Sequence, residues 1–183
     1  MRRIINSTNV TLDGVSERLP EWHFQYMDDE AVGVTTEDLH AAEALLMGRQ
    51  TYDVFAASWP ERGGDYADRI NAMPKYVASG TLRNATWTNT TVIRDVAGEV
   101  ADLKQQRGGD ILMYGFGPVA ANLFEHGLLD EIRLFVHPVL AGGTGQWADL
   151  LLNAGAVGHL ELAAHRALRS GVMLLTYRPK TAS

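Results

Sequence analysis

Six consecutive residues, Gly115-Phe116-Gly117-Pro118-Val119-Ala120, have the types and spacing to hold a phosphate without a charged side chain. They follow an apolar run, Ile111 to Tyr114, and lead into Val119, Leu123 and Phe124 at helical spacing, so they read as a strand, a glycine turn and a helix start. Glycine lets the backbone turn tightly and approach a ligand, while the first helical N–H groups point unpaired into the turn. An anion satisfies both conditions. Pro118 suits the first helical turn, where its missing N–H would have had no partner. The pattern is the G-x-G-x-x-A form of the dinucleotide fingerprint; the plainer reading is a βα corner whose glycines only permit close packing. The acidic residue that would read a ribose about twenty residues later falls at Phe135, Val136 and His137, so something else must read it.

The elements that would position this turn alternate along the chain. Arg2 to Thr11 reads as a central strand ending in polar residues, followed by the turn Thr11-Leu12-Asp13-Gly14. The order of Trp22, Phe24, Tyr26 and Met27 fits no single period and predicts a loop followed by a helix. Thr36 with Glu37 and Asp38 predicts a helix start. Leu45 to Met47 then forms a short buried strand, and Gly48-Arg49 opens another helix. Asp53 to Asn71 holds helical pieces interrupted by a loop at Glu61 to Asp65. Pro74 to Ser79 is a strand running into Gly80-Thr81-Leu82, and Thr86 to Ile93 is another. Asp95 caps a helix ending by Gly108, and Gly127 closes the fingerprint helix. Asp130 to Leu140 is a strand, Ala141 to Gly145 a flexible loop, and His159 to Leu168 with Val172 to Tyr177 a hairpin. The fold class is therefore α/β, with a mostly parallel sheet covered on both faces and an antiparallel hairpin at one edge. Ligands bind such sheets outside the carboxyl ends of the strands, where Ser7 to Gly14, Gly48 to Thr51, Ser79 to Leu82 and Gly115 to Ala120 converge.

Composition bounds the function. With 183 residues the chain forms a single domain over 1–183. A net charge of -6 without clustered Lys and Arg argues against nucleic acid as a partner. Cysteine is absent, which removes disulfides, thiolate metal sites and a cysteine nucleophile. No metal is expected, because the histidines lack ligand spacing and His126 and His137 read as structural. Ser58 and Ser170 lack the G-x-S-x-G turn of a serine hydrolase. No segment is apolar for long enough to span a membrane or act as a signal peptide, so the expected location is cytoplasmic.

Five stretches in this order resemble the dihydrofolate reductase superfamily, and more closely the branch of the C-terminal reductase domain of the bifunctional riboflavin-biosynthesis deaminase/reductase. They are Ser7-x-x-x-Thr11-Leu12-Asp13-Gly14, Leu46-Met47-Gly48-Arg49-x-Thr51-Tyr52, Lys75-Tyr76-Val77-x-Ser79-x-Thr81-Leu82, Gly109-Asp110-Ile111 through Gly115-x-Gly117, and Val139-Leu140-x-Gly142-Gly143. The resemblance implies a dihydrofolate reductase-like three-layer fold and a nicotinamide dinucleotide, NADPH, across the strand ends. Gly48, Arg49 and Thr51 would hold phosphates, and Gly115, Phe116, Gly117, Pro118, Val119 and Ala120 would cradle the diphosphate. Ser79, Gly80, Thr81, Leu82 and Arg83 would lie by the adenosine ribose. Arg49 with the hydroxyls of Ser79 and Thr81 favours a ribose 2′-phosphate. Ser7, Thr8, Asp13 and Gly14 would sit beside the nicotinamide, with Tyr114 at the floor.

Two positions depart from the family pattern: Gly80 stands where many members of the branch carry arginine, and Phe116 where dihydrofolate reductases carry glycine. Asp13 is the first candidate for orienting substrate or relaying a proton, against its reading as a turn-forming residue before Gly14. Asp28, Asp29 or Glu30 could grip a pterin-like ring, and Trp22, Phe24 and Tyr26 could wall it or simply cap the core. The implied activity is an oxidoreductase that reduces a pterin-, pyrimidine- or related heterocyclic small molecule, as a homodimer through an exposed sheet edge. The alternative is a non-catalytic nucleotide-binding module on the same fold.

Overall fold

The computed structural model describes residues 1–142 and 158–180. Its strands are β1 (Ile4–Thr11), β2 (Ala42–Gly48), β3 (Lys75–Ala78), β4 (Thr90–Ile93), β5 (Asp110–Tyr114), β6 (Glu131–His137), β7 (Leu160–Ala167) and β8 (Met173–Pro179). They form one sheet in the order β4-β3-β2-β5-β1-β6-β8-β7. Strands β1 to β6 run parallel. The β7–β8 hairpin adds antiparallel strands beside β6. The helices are α1 (Leu19–Trp22), α2 (Asp29–Ala41), α3 (Arg49–Ser58), α4 (Asp65–Ala72), α5 (Val96–Gln105) and α6 (Pro118–Glu125), with a 3-10 turn at Phe24–Tyr26. This is the mostly parallel sheet with a terminal hairpin that the alternating pattern predicts.

Consecutive residues of a strand point to opposite faces, and the central strands are buried on both. Ile4, Ile111 and Met113 pack with Val100 and Leu103 of α5 and Ala120 and Leu123 of α6. Their neighbours Ile5 and Leu112 pack on the other face with Leu39 of α2, Tyr52 of α3 and Ile70 of α4. A smaller cluster joins Ala31 and Val34 of α2 to Phe135, Leu168 and Val172 near the hairpin. None of the described helices is long and apolar enough to cross a membrane.

Several boundaries differ from the sequence reading: β2 already begins at Ala42, not at Leu45, and two further differences have a clear local cause. Helix α2 begins at Asp29, not at Thr36, because Asp28 caps it by accepting the N–H of Ala31 at 2.9 Å. The hydroxyls of Thr35 and Thr36 instead donate to the Val32 carbonyl inside the helix, at 3.0 and 2.8 Å. Strand β4 starts at Thr90 rather than Thr86, because the N–H groups of Thr86 and Trp87 donate to the Tyr52 hydroxyl, at 2.8 and 3.2 Å, instead of to a strand. At the amino end of β3, away from the glycine turn, Lys75 is fully buried. Its ammonium donates to the carbonyls of Asn71, Met73 and Thr88 and lies 4.5 Å over the Trp87 ring. Burial pulls its pKa down to about 8.

Candidate active site

Register brings the carboxyl ends of the strands together. Ser7 pairs with Tyr114, Leu46 with Met113 and Gly48 with Ala78, so the turns after β1, β2, β3 and β5 lie along one rim. Gly115 adopts φ +77°, a left-handed conformation that favours glycine. Its N–H donates to the Ser7 carbonyl at 3.0 Å, and its own carbonyl accepts from the Asn6 amide at 2.8 Å. Thr8 in turn donates to Asn6 at 2.7 Å. Thr8 and Asn6 are both buried, so the structure places Thr8 beneath the turn as a brace, not in the cleft. Ser7 alternates with them and shares its sheet face with Tyr114.

Two helices begin at this rim without a side-chain cap: α6, entered through Gly117, and α3, entered through Gly48. Their opening N–H groups have no partner within the helix, at Val119 and Ala120 in α6 and at Gln50 and Thr51 in α3. A Cβ built on Gly48 would lie 3.4 Å from Val119, so the two uncapped ends meet. A Cβ on Gly80, Gly115 or Gly117 would meet nothing within 4 Å, which leaves the space before both helix ends open. Phe116 packs against the core on the α5–α6 side, which explains how a bulky residue is tolerated within the turn. This corner, made of backbone and two positive helix ends, has the donors and the open space that an anion requires.

From α6 a groove of about 480 Å³ runs to the ends of β3 and β4, lined among others by Ser79, Gly80, Arg94, Asp95 and Val119. The Ser79 hydroxyl accepts the N–H groups of Thr81 and Leu82, at 3.3 and 3.0 Å, and shapes that loop. Leu82 is buried and anchors the loop in the core rather than facing a ligand. Arg94 was not anticipated from the sequence. Its guanidinium donates to the carbonyls of Ser79 and Leu82, which fixes it over the loop where Gly80 leaves the family's arginine missing. The signal was its position between the end of β4 and the Asp95 cap of α5, where Asp95 accepts the N–H of Gly98 at 3.2 Å. Arg49 is exposed and its Nε donates to both oxygens of Asp53, at 2.7 and 2.8 Å. Such an exposed pair contributes only about 0.5 kcal/mol and exchanges readily for another anion.

The other half of the rim is closed by side chains. Asp13 accepts hydrogen bonds from the Thr11 hydroxyl and from the N–H groups of Ala141 and Gly142, at 3.1 and 2.8 Å. These donors, Thr11 foremost, hold its pKa below the usual carboxylate range, so Asp13 stitches the loop after β1 to the loop after β6 and holds no proton at neutral pH. Gly14, at φ +85°, completes the first of those loops. Gly143 to Gly145 lie outside the described residues. Asp28 is the cap of α2, Glu30 is bound by Arg166 and the Arg169 N–H, and Asp29 is exposed in the first turn of α2.

The aromatic residues divide. Trp22 is buried against His137 at 5.0 Å between ring centroids, Tyr26 lies 5.5 Å from the same ring, and Phe24 is exposed. His137 and His23 are buried 5.2 Å apart, and the Nδ1 atoms of both have no hydrogen-bond partner among the described residues. Nε2 of His137 meets the Asn9 side-chain oxygen at 3.0 Å. Burial, with His23 adding to it, drives the pKa of His137 down to about 4, and burial also lowers that of His23. Both are neutral near pH 7.

Beneath the cleft, the hydroxyls of Tyr114 and Tyr66 lie 2.7 Å apart, and the Tyr114 ring packs on Phe55 at 5.5 Å. Asp38 is a half-buried acid that sequence reasoning assigned to the first turn of a helix. It sits in the last turn of α2, paired with Arg133, with its second oxygen unpartnered among the described residues. Burial raises its pKa despite that partner.

Comparison with known proteins follows the same lines. The sequence profile of the RibD C-terminal domain matches residues 2–174. The uncharacterized protein YyaP of Bacillus subtilis is 30% identical over 182 residues, covering 96% of this chain and 94% of its own. A Shewanella sp. PV-4 protein named for riboflavin biosynthesis superposes with a TM-score of 0.74 at 18% identity, over 98% of this chain and 99% of that one. A pyrimidine reductase-like protein of Corynebacterium diphtheriae gives 0.67 at 12% identity, over 99% and 93%. RibD of Acinetobacter baumannii gives 0.64 at 16% identity, over 99% of this chain and 59% of that one.

Proposed function

The chain belongs to the RibD C-terminal domain family, within the dihydrofolate reductase superfamily, and on that footing we propose that it is an NADPH-dependent reductase of a pterin, pyrimidine or related heterocyclic small molecule. The observation that carries this reading is the meeting of two uncapped helix ends across Gly48 and Val119, before open space. The N–H groups of Val119, Ala120, Gln50 and Thr51 would hold the diphosphate. Arg94, fixed by two carbonyls, and Arg49, held only by an exposed pair, would face the ribose 2′-phosphate from two sides with Ser79 and Thr81. Ser7 and Gly14 would flank the nicotinamide.

When bound, the reduced nicotinamide supplies a hydride to an electrophilic carbon. The chain must then exclude water and furnish a proton. Asp13, a carboxylate fixed by three donors, positions the loop over the nicotinamide end and does not itself deliver that proton. Tyr114 remains, protonated and directly before the Gly115 turn.

The engagement of Asp13, Asp28 and Glu30 in the scaffold favours a second reading, a nucleotide-binding module without turnover. Fluorescence titration with NADPH and NADH, followed by NADPH oxidation against a panel of dihydropterins and ribosylaminopyrimidines, separates the two. Binding with turnover supports the reductase, binding without turnover supports the module, and absence of binding removes both. We further place a second copy of the chain along β7, the sheet edge, where Leu160 and Leu162 are exposed. Light scattering showing a monomer at all concentrations would contradict that placement.

A further inference from the structure

We propose that Tyr66 is the second member of a two-proton relay that supplies the reduced substrate through the hydroxyl of Tyr114. The inference rests on the reductase reading and names its proton path. Each phenol carries one proton. The hydroxyls are 2.7 Å apart, so one of them donates to the other. When Tyr66 donates, the Tyr114 proton is directed elsewhere, and neither hydroxyl has another hydrogen-bond partner among the described residues. Tyr114 closes β5, is the register partner of Ser7, and immediately precedes the turn that cradles the diphosphate. Tyr66 lies behind it on α4, half-buried, its ring 5.0 Å from Trp59.

The surroundings keep both phenols protonated. Burial raises the pKa of both phenols, and the Asp38 carboxylate adds to it. Their mutual hydrogen bond couples the two, so that a negative charge on either oxygen is held by the proton of the other. A negative charge formed on Tyr114 is therefore held by the Tyr66 hydroxyl, whose proton can follow it across the same 2.7 Å. The step balances as follows. The hydride adds to the carbon of a C=N or C=O group, and the electron pair of its π bond moves to the heteroatom. That heteroatom takes the Tyr114 hydroxyl proton as the O–H bond breaks. The Tyr66 proton passes to the Tyr114 oxygen, and water reprotonates Tyr66. The substrate is reduced and the nicotinamide oxidised. Tyr66 never touches substrate; it acts through Tyr114.

The test uses the full chain with its tyrosines labelled at the ring carbon bearing oxygen, titrated by NMR without cofactor. Tyr66→Phe removes the hydroxyl that would hold a phenolate on Tyr114 and should move the Tyr114 titration to higher pH, and Tyr114→Phe should move Tyr66 in the same sense. In the presence of NADPH and whichever panel substrate the wild type reduces, Tyr66→Phe should lower kcat at least tenfold and change its solvent isotope effect. KM and the NADPH Kd should stay within twofold. Should Tyr66→Phe not fold, 3-fluorotyrosine at position 66, which keeps ring and hydroxyl, replaces it and should shift the pH profile of kcat downwards. An unmoved Tyr114 titration, or wild-type kcat with an unchanged isotope effect, overturns the relay while leaving the reductase reading intact. A wild type that binds NADPH and reduces no panel member overturns the reductase reading and the relay with it, even where the two titrations shift as expected.

Discussion

At the ends of β2 and β5 the rim is made of backbone: two helix starts without side-chain caps, Gly48 against Val119, and open space before Gly115 and Gly117. At the ends of β1 and β6 it is made of side chains: Asp13 pinned to Ala141 and Gly142, and His137 buried between Trp22, His23 and Asn9. The first region is built to accept an anion because its donors have no internal partner. The second is built to hold its shape because Asp13 and Nε2 of His137 already have partners within the fold. The difference teaches where each kind of change should register. Alterations at the first should act on ligand affinity with the fold intact, and alterations at the second on stability.

The largest effect that would break this comparison is at Gly117. Its φ of −105° and ψ of −164° are open to any residue, and an added Cβ meets nothing within 4 Å. Gly117→Val should therefore keep its thermal midpoint within a few degrees while weakening NADPH by on the order of a thousandfold, about 4 kcal/mol. Unchanged affinity would remove the cradle. At the second region the sharpest probe is pH. The pKa of His137 is about 4 in the fold against an ordinary 6.5, so the unfolded chain takes up the proton first as pH falls. Its contribution is complete above about pH 6.5 and is lost as pH falls through about 4, amounting to about 3 kcal/mol. Urea unfolding across pH 4 to 7 should show this slope, and His137→Gln should flatten it.

Two smaller effects sharpen the division. Arg94→Ala should weaken NADPH about tenfold and NADH less, with Arg49→Ala following several-fold in the same sense. Equal losses for both dinucleotides in isothermal titration would take either arginine off the 2′-phosphate. Asp13→Asn should lower stability by about 1 kcal/mol with little change in NADPH affinity, since it loses charge-assisted bonds between loops and no donor in the cradle. A pH–rate profile that loses its acidic limb in this variant would return Asp13 to a proton-transfer role.

The same contrast explains what the sequence disclosed. The order of strands and helices and the turn from Gly115 to Ala120 were legible because glycine, proline and apolar periodicity act locally. Asp38 was misassigned because Thr36 followed by two acids imitates a helix start, when the true cap, Asp28, lies one residue before a helix that runs through it. The roles of Thr8 and Leu82 were invisible because they depend on which face of a strand or loop is buried. Arg94 left only the weak signal of its place before the Asp95 cap, while the pairing of Tyr66 with Tyr114, 48 residues apart, depends on how α4 packs on β5, which no local pattern carries.

The most direct measurement of the central claim is a titration of the isotopically labelled protein with NADPH, followed amide by amide in 15N–1H correlation spectra. The account predicts that Gly117, Val119, Ala120, Gln50 and Thr51 shift first and furthest, and saturate together. Saturable binding that leaves those five amides in place while moving others would contradict it.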